Sequence, residues 1–230
     1  MRRHPKELVP LGVRKYVRGR RHAWECSREL RRGLRALERD PRGSEEVWSE
    51  LVNGWDNQRW SAGVEYLDAV GRASLEHEGP ILECGSGLTT LVLATIARRT
   101  GSQVWTLEHD ARCFEIVQAR LRQFGLQARL QLTPLRDYGS FDWYDVEPTV
   151  HPSFSLVVCD GPPKRTRGGR FGLLPVLGDR LAPGCVILLD DASRAQEREV
   201  LARWAASQPL KYELRGASRP YAAVELPVAS

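Results

Sequence analysis

The sequence predicts an open α/β fold built on a parallel, doubly wound sheet, and three observations carry that prediction. From Pro80 onward, short apolar runs alternate with stretches of helical periodicity. A Gly85-Ser86-Gly87 turn follows the first run and opens a helix at Leu88, and Glu108 ends the second run ~20 residues later, the usual offset for a ribose-binding carboxylate. The last two apolar runs are joined by too few residues for a crossover helix and therefore pair antiparallel.

The elements follow in chain order. Ala23, Cys26, Leu30, Leu34 and Leu37 recur at spacings of three and four, which predicts an amphipathic helix over 22–39, ending before Asp40-Pro41-Arg42-Gly43. Ser44 is placed to cap a second, short helix carrying Val47, Trp48 and Leu51, with Glu45 and Glu46 at its positive end. Ser61 is placed to cap a third through Val64, Leu67 and Val70, broken by Gly79-Pro80. Residues 1–59 thus read as a basic helical extension or cap, and 60–230 as the main domain. Within it, strands are expected near 80–84, 103–107, 128–132, 154–159 and 185–190, with helices near 88–99, 110–124, 172–181 and 192–207. The segments 210–214 and 221–226 complete the sheet as an antiparallel pair at one edge.

The 230 residues suit one substantial core rather than two domains. Of the net charge of +5, residues 1–43 carry fourteen Lys/Arg against five Asp/Glu, so the positive charge is an N-terminal property. Such an arm fits nucleic acid or an anionic surface, or else a solvated arginine face. No apolar run approaches the roughly 20 residues of a bilayer span, and the N-terminus lacks a secretion signal, so a cytoplasmic protein is expected. Cys26, Cys84, Cys113, Cys159 and Cys185 are odd in number and widely spaced, which suggests small hydrophobes rather than a disulfide framework or a zinc site.

The glycine turn and Glu108 together suit an adenosine. A positively charged sulfonium needs no rigid phosphate cradle and tolerates an acidic neighbour such as Glu83, whereas a pyrophosphate does not. Thr90 also stands where the dinucleotide fingerprint has its third glycine. A nicotinamide-dependent oxidoreductase is the weaker alternative.

This order of motifs, with Asp160 ending the strand at 154–159 and an antiparallel pair at the end, resembles the class I S-adenosylmethionine-dependent methyltransferases over roughly residues 60–230. The resemblance implies a Rossmann-like, doubly wound seven-stranded sheet, mostly parallel with an antiparallel C-terminal strand, preceded here by N-terminal helices. It implies that Glu83 and the Gly85-Ser86-Gly87 backbone border the methionine and ribose of the cofactor, with Thr89 and His109 beside them. Glu108 would hold the ribose hydroxyls, and Asp160 would sit by the methyl group.

Asp160, Asp190 and Asp191 resemble the set that holds Mg2+ or Ca2+ in catechol-type O-methyltransferases, with Lys164 near the position of that family's base. The family usually has Asp-Asn where this chain has Asp190-Asp191, and its lysine lies one residue closer to the strand. The residues alone leave another reading open, in which Asp191 caps the following helix and Asp190 accepts backbone hydrogen bonds. Asp160-Gly161-Pro162-Pro163 is partly similar to the motif of amino-methyltransferases, which keeps N-methylation of a nucleic acid or protein as a second mechanism. The loop Lys164-Arg165-Thr166-Arg167-Gly168-Gly169-Arg170 suits an acidic or phosphorylated substrate, or salt bridges to Asp190 and Asp191. Trp143 and Tyr144 suit either an aromatic wall or core packing, and His109 and His151 are candidate bases. The expected reaction is O-methylation of a small-molecule hydroxyl, metal-assisted if the carboxylates bind an ion.

Overall fold

The structure, a computed structural model, describes residues 11–57, 62–146 and 152–228, with backbone alone for 11–20. Three helices come first: α1 (Leu11–Arg39), α2 (Glu45–Trp55) and α3 (Val64–Glu76). The first begins eleven residues before the helix expected over 22–39, through the arginine-rich segment 14–21. Ser44 caps α2 as expected, its Oγ accepting from Val47 N at 3.4 Å. Ser61 lies outside the described residues, and the cap position of α3 is Gly63, which offers no side-chain bond.

The sheet then forms by strand and crossover: β1 (Ile81–Cys84), α4 (Leu88–Thr100), β2 (Val104–Glu108), α5 (Ala111–Phe124) and β3 (Arg129–Leu132). A hairpin of β4 (Leu135–Asp137) and β5 (Asp142–Tyr144) stands apart from the sheet. The chain returns through β6 (Phe154–Cys159), α6 (Leu173–Leu177), β7 (Leu181–Leu189), α7 (Ala195–Ser207), β8 (Lys211–Arg215) and β9 (Tyr221–Glu225). Strand order is β3-β2-β1-β6-β7-β9-β8, and β9 runs antiparallel to both of its neighbours. This is the seven-stranded, mostly parallel arrangement that the sequence predicts.

Two expected elements differ. The helix at 172–181 is divided into α6 and a 3-10 turn that follows it directly over Gly178–Arg180, with Pro175 in the first turn of α6, where a missing N–H costs nothing. The helix expected from 192 starts only at Ala195, because Asp191 adopts a left-handed backbone (φ +58°) and Arg194 N bonds back to Asp191 O, closing a turn first. Asp191 is therefore not the helix cap, and Arg194 holds that position.

Period-two alternation along the strands sorts side chains onto two apolar layers. Ile81, Val104, Leu156 and Val158 face α3 and α4, and onto this layer α1 and α2 add Leu30, Leu34, Leu37, Trp48 and Leu51. Leu82, Trp105, Leu107, Val157 and Ile187 face the other way, against Trp143, Leu173, Leu201 and Trp204. Burying each such side chain contributes roughly 1.5–3 kcal/mol, so both layers are needed to hold the sheet. The N-terminal helices thus thicken one helical layer, and α3 is pinned to the sheet by Tyr66, whose buried hydroxyl donates to Leu188 O at 2.9 Å.

Candidate active site

The carboxyl ends of β1, β2, β6 and β7 meet where the strand order reverses, between β1 and β6. There the backbone ladder runs one rung past the strands. Gly85 N donates to Leu107 O, Asp160 N to Cys84 O and Asp190 N to Cys159 O, at 2.9, 3.0 and 3.1 Å. These bonds bring the glycine turn, Asp160 and Asp190 to one crevice.

Gly85 has φ +88°, and a side chain there would meet Gly161 N at 2.9 Å. Only glycine fits. Gly87 differs, for its backbone is extended (φ 176°) and an added Cβ would have no neighbour within 4 Å. Neither strain nor packing asks for glycine at 87. The open space itself is the feature, a cradle that any side chain would fill.

Glu108, 4% exposed, frames that cradle. One oxygen accepts from Ser86 N (2.8 Å) and Ser86 Oγ (2.7 Å), and the other accepts from Asp110 N (2.8 Å) and lies 3.2 Å from His109 Nδ1. Burial pushes its pKa up, but His109, the Asp110 amide and Ser86 together outweigh burial and hold the group below its ordinary value. It is an anion that fixes the turn.

Glu83 has another place. Being two residues from Ile81, it points under α4, fully buried, and accepts from Thr89 Oγ1 (2.5 Å), Thr90 Oγ1 (2.7 Å) and Thr106 Oγ1 (2.8 Å). Burial raises its carboxyl to about 7, against the lowering effect of the three hydroxyls. Its oxygens, and the Thr89 hydroxyl, are committed to the joint between strand and helix and do not border the crevice. Thr90 and Thr106 belong to this joint, and the sequence signal for them is hydroxyls placed where one helix start and one neighbouring strand must meet a buried acid.

Asp160, Asp190 and Asp191 are together, with one carboxylate oxygen from each within 4.8 Å of the others. A buried arginine sits among them. Arg170, whose side chain is 2% exposed, donates from Nη2 to Asp160 Oδ1 (2.9 Å), Asp160 O (2.5 Å) and Asp191 Oδ2 (3.2 Å), and from Nη1 to Asp190 O. Arg219 approaches Asp191 Oδ1 (3.3 Å) and Asp190 Oδ2 (3.6 Å), Arg194 reaches Asp191 Oδ2 (2.5 Å), and buried Glu197 lies 3.8 Å from Arg170. The positive charge that three adjacent carboxylates need comes from the chain's own guanidinium groups, so the residues do not fit a Mg2+ or Ca2+ centre. Of the three, Asp160 is the most open, its side chain 30% exposed. Burial lifts its carboxyl to about 7, Arg170 pulls it down, and Asp190 and Asp191 push it up.

The turn carrying Arg219 is itself held. Glu65 on α3 accepts from Ala217 N (3.0 Å), Ser218 N (3.2 Å) and Ser218 Oγ (3.0 Å). Of the other loop cations, Arg167 is spent on Asp137 and Asp142, at 2.5 Å each, while Lys164 and Arg165 are exposed. Trp143 and Tyr144 are fully buried and so pack the core rather than offer a free wall. His151 lies outside the described residues. Arg194, Glu197 and Arg219 are site residues that sequence reading misses, because a salt-bridge network leaves no spacing rule.

Residues 82–192 match the family model of a methyltransferase domain. No curated protein matches the chain significantly. Among solved structures, the chain is similar to the SAH-bound methyltransferase PaMTH1 of Podospora anserina, with 13% identity, TM-score 0.56 and coverage of 95% of this chain and 98% of that one. It is similar to the O-methyltransferase of Bacillus cereus in complex with SAH, at 15% identity, TM-score 0.55 and coverage of 78% and 90%. An rRNA methylase of Streptococcus thermophilus shares 13% identity, TM-score 0.50 and coverage of 70% and 95%. The family match and the seven-stranded fold together support a class I S-adenosylmethionine-dependent methyltransferase. The nicotinamide alternative falls with that result. No helix among the described residues is long and apolar enough to cross a membrane.

Proposed function

We propose that the chain transfers a methyl group from S-adenosylmethionine to a hydroxyl oxygen of a small molecule, within the cytoplasm. The observation that carries this reading is Asp160, a carboxyl at the switch point whose side chain is 30% exposed, whose backbone lies against the Gly85 turn and whose carboxyl is lifted to about 7. S-adenosylmethionine, when bound, supplies an electrophilic methyl carbon on a positively charged sulfur. The Gly85-Ser86-Gly87 backbone and Glu108 hold its sugar, with His109 at the side, and Glu83 and Thr89 act as positioning residues that fix the start of α4. Asp160 orients the acceptor hydroxyl and takes its proton as the oxygen–carbon bond forms and the carbon–sulfur bond breaks. The O-methyltransferase likeness in fold agrees with an oxygen acceptor. Lys164 serves at the rim, on substrate charge. The basic extension of residues 1–59 serves, through α1 and α2, to thicken the helical layer, and the domain of residues 60–230 carries the reaction.

The test is Asp160→Asn, with calorimetry of S-adenosylhomocysteine beside turnover on a panel of hydroxylated acceptors. Affinity is expected to stay within about threefold while turnover drops by about 10²-fold or more, the usual worth of a general base. Unchanged turnover removes Asp160 from the reaction. A second reading, N-methylation of a nucleic acid or protein, draws on the exposed arginines of α1, and methyl transfer to bulk RNA or to a basic peptide distinguishes it.

A further inference from the structure

We infer that Arg170 is the fixed cation of this active site and that the enzyme works without a divalent metal, on acceptors that need not chelate one. The inference deepens the methyl-transfer reading for the acceptor, but the identity of the cation is tested without turnover.

The argument starts from charge. Asp160, Asp190, Asp191 and Glu197 stand within one cluster, and three of them are almost wholly buried, so uncompensated they would repel strongly in a low-dielectric setting. Three carboxylates within 4.8 Å are the donor set that a hard cation seeks. Here the position between Asp160 and Asp191 is taken by Arg170 Nη2, at 2.9 and 3.2 Å from their oxygens. The same side chain also satisfies two backbone carbonyls, Asp160 O and Asp190 O, that end the two strands framing the crevice. A metal entering this position must expel a buried guanidinium and leave those carbonyls without their donor. Arginine is also charged at any working pH, so the compensation never switches off. Arg194 places a second guanidinium on Asp191 Oδ2, and Arg219 lies 3.3 Å from Asp191 Oδ1 and 3.6 Å from Asp190 Oδ2, an oxygen with no hydrogen-bond partner among the described residues.

The chemical consequence separates this site from a metal-assisted one. A metal ion accepts lone pairs from the substrate and can grip two neighbouring hydroxyls at once, lowering their pKa. A guanidinium only donates hydrogen bonds, and the Nη1 and Nη2 groups of Arg170 face carboxylates and carbonyls. Activation of the acceptor therefore falls to Asp160 alone, and a single hydroxyl suffices. A lone phenol or alcohol should react as well as its vicinal diol counterpart.

Mn2+ titrated under electron paramagnetic resonance, with the full chain, decides the point. Wild type should leave Mn2+ free up to roughly millimolar concentrations. Arg170→Met, which keeps the volume and deletes the charge, should bind one Mn2+ at least about tenfold more tightly, and Asp190→Asn added to it should abolish the gain. Two results overturn the inference: a wild-type Mn2+ site that Asp190→Asn removes, or a folded Arg170→Met protein that gains no Mn2+ site. If Arg170→Met does not fold by circular dichroism, the wild-type titration with and without Asp190→Asn is sufficient by itself. Calorimetry with S-adenosylhomocysteine runs in parallel, so that a failure of the cofactor reading is seen separately from the Mn2+ result.

Discussion

Two glycines two residues apart answer to different causes. Gly85 is required by its left-handed backbone and by Gly161 at 2.9 Å, whereas Gly87 is required by nothing inside the protein. Gly85→Ala should therefore cost about 1–3 kcal/mol of stability and lower Tm by several degrees. Gly87→Val should leave Tm within about 2 °C yet weaken S-adenosylhomocysteine binding by about 10²-fold or more, as seen by calorimetry. Equal effects of the two substitutions on stability would show that the space beside Gly87 is not a ligand cradle.

Whole elements show where sequence reading reaches and where it stops. Short, almost wholly apolar runs at 81–84 and 104–108 translate directly into strands buried on both faces, and three-four spacing at 30–37 into a helix with one buried face. The glycine turn and Glu108 are equally legible, because backbone geometry and an anion offset leave marks at fixed distances. The β4–β5 hairpin is not: three-residue strands around Tyr138-Gly139-Ser140 are too short for periodicity to register. The inward direction of Glu83 follows from its parity with Ile81, but only once both faces of the sheet are known to be covered. The cations around Asp190 and Asp191 come from the segment before α6, the start of α7 and the β8–β9 turn, and such meetings depend on topology alone. Helix α1 supplies a prediction of its own. Arg21, Trp24, Arg28, Arg31 and Arg35 recur at three-four spacing on one exposed face, Trp24 61% exposed with Arg28 over its ring at 5.6 Å. If this face binds RNA, Arg28→Gln with Arg35→Gln should reduce the log-log salt slope of binding by about 1.4 for a single strand, with Tm unchanged. Fluorescence anisotropy at several salt concentrations measures it, and no binding at low salt dismisses the role.

At the scale of the molecule, the buried acids set how stability follows pH. Glu83 and Asp160 are both lifted to about 7 in the fold, from 4.5 and 3.8, so between those values the folded chain holds protons that the unfolded chain releases. Their stabilising protonation is complete below about pH 4 and is lost as pH rises through about 7. Carboxylates that the fold lowers, such as Glu108 and Asp137, are ionised in both states across the upper part of this range and add no slope there. Tm should thus fall by about 5 °C from pH 5.5 to 7.5, and Glu83→Gln should flatten that fall. A Tm that rises over the interval, by differential scanning calorimetry, would contradict the assignment.

The clasp between Glu65 and the turn at 216–219 joins parts of the chain some 150 residues apart, and it lies on the outside of the molecule. Because the turn delivers Arg219 to Asp190 and Asp191, a solvent-facing acid on α3 governs how firmly one of the site's guanidinium groups is held in reach. Acidity in the reaction crevice is therefore adjustable from a distance, through a position that no inspection of the crevice walls would single out.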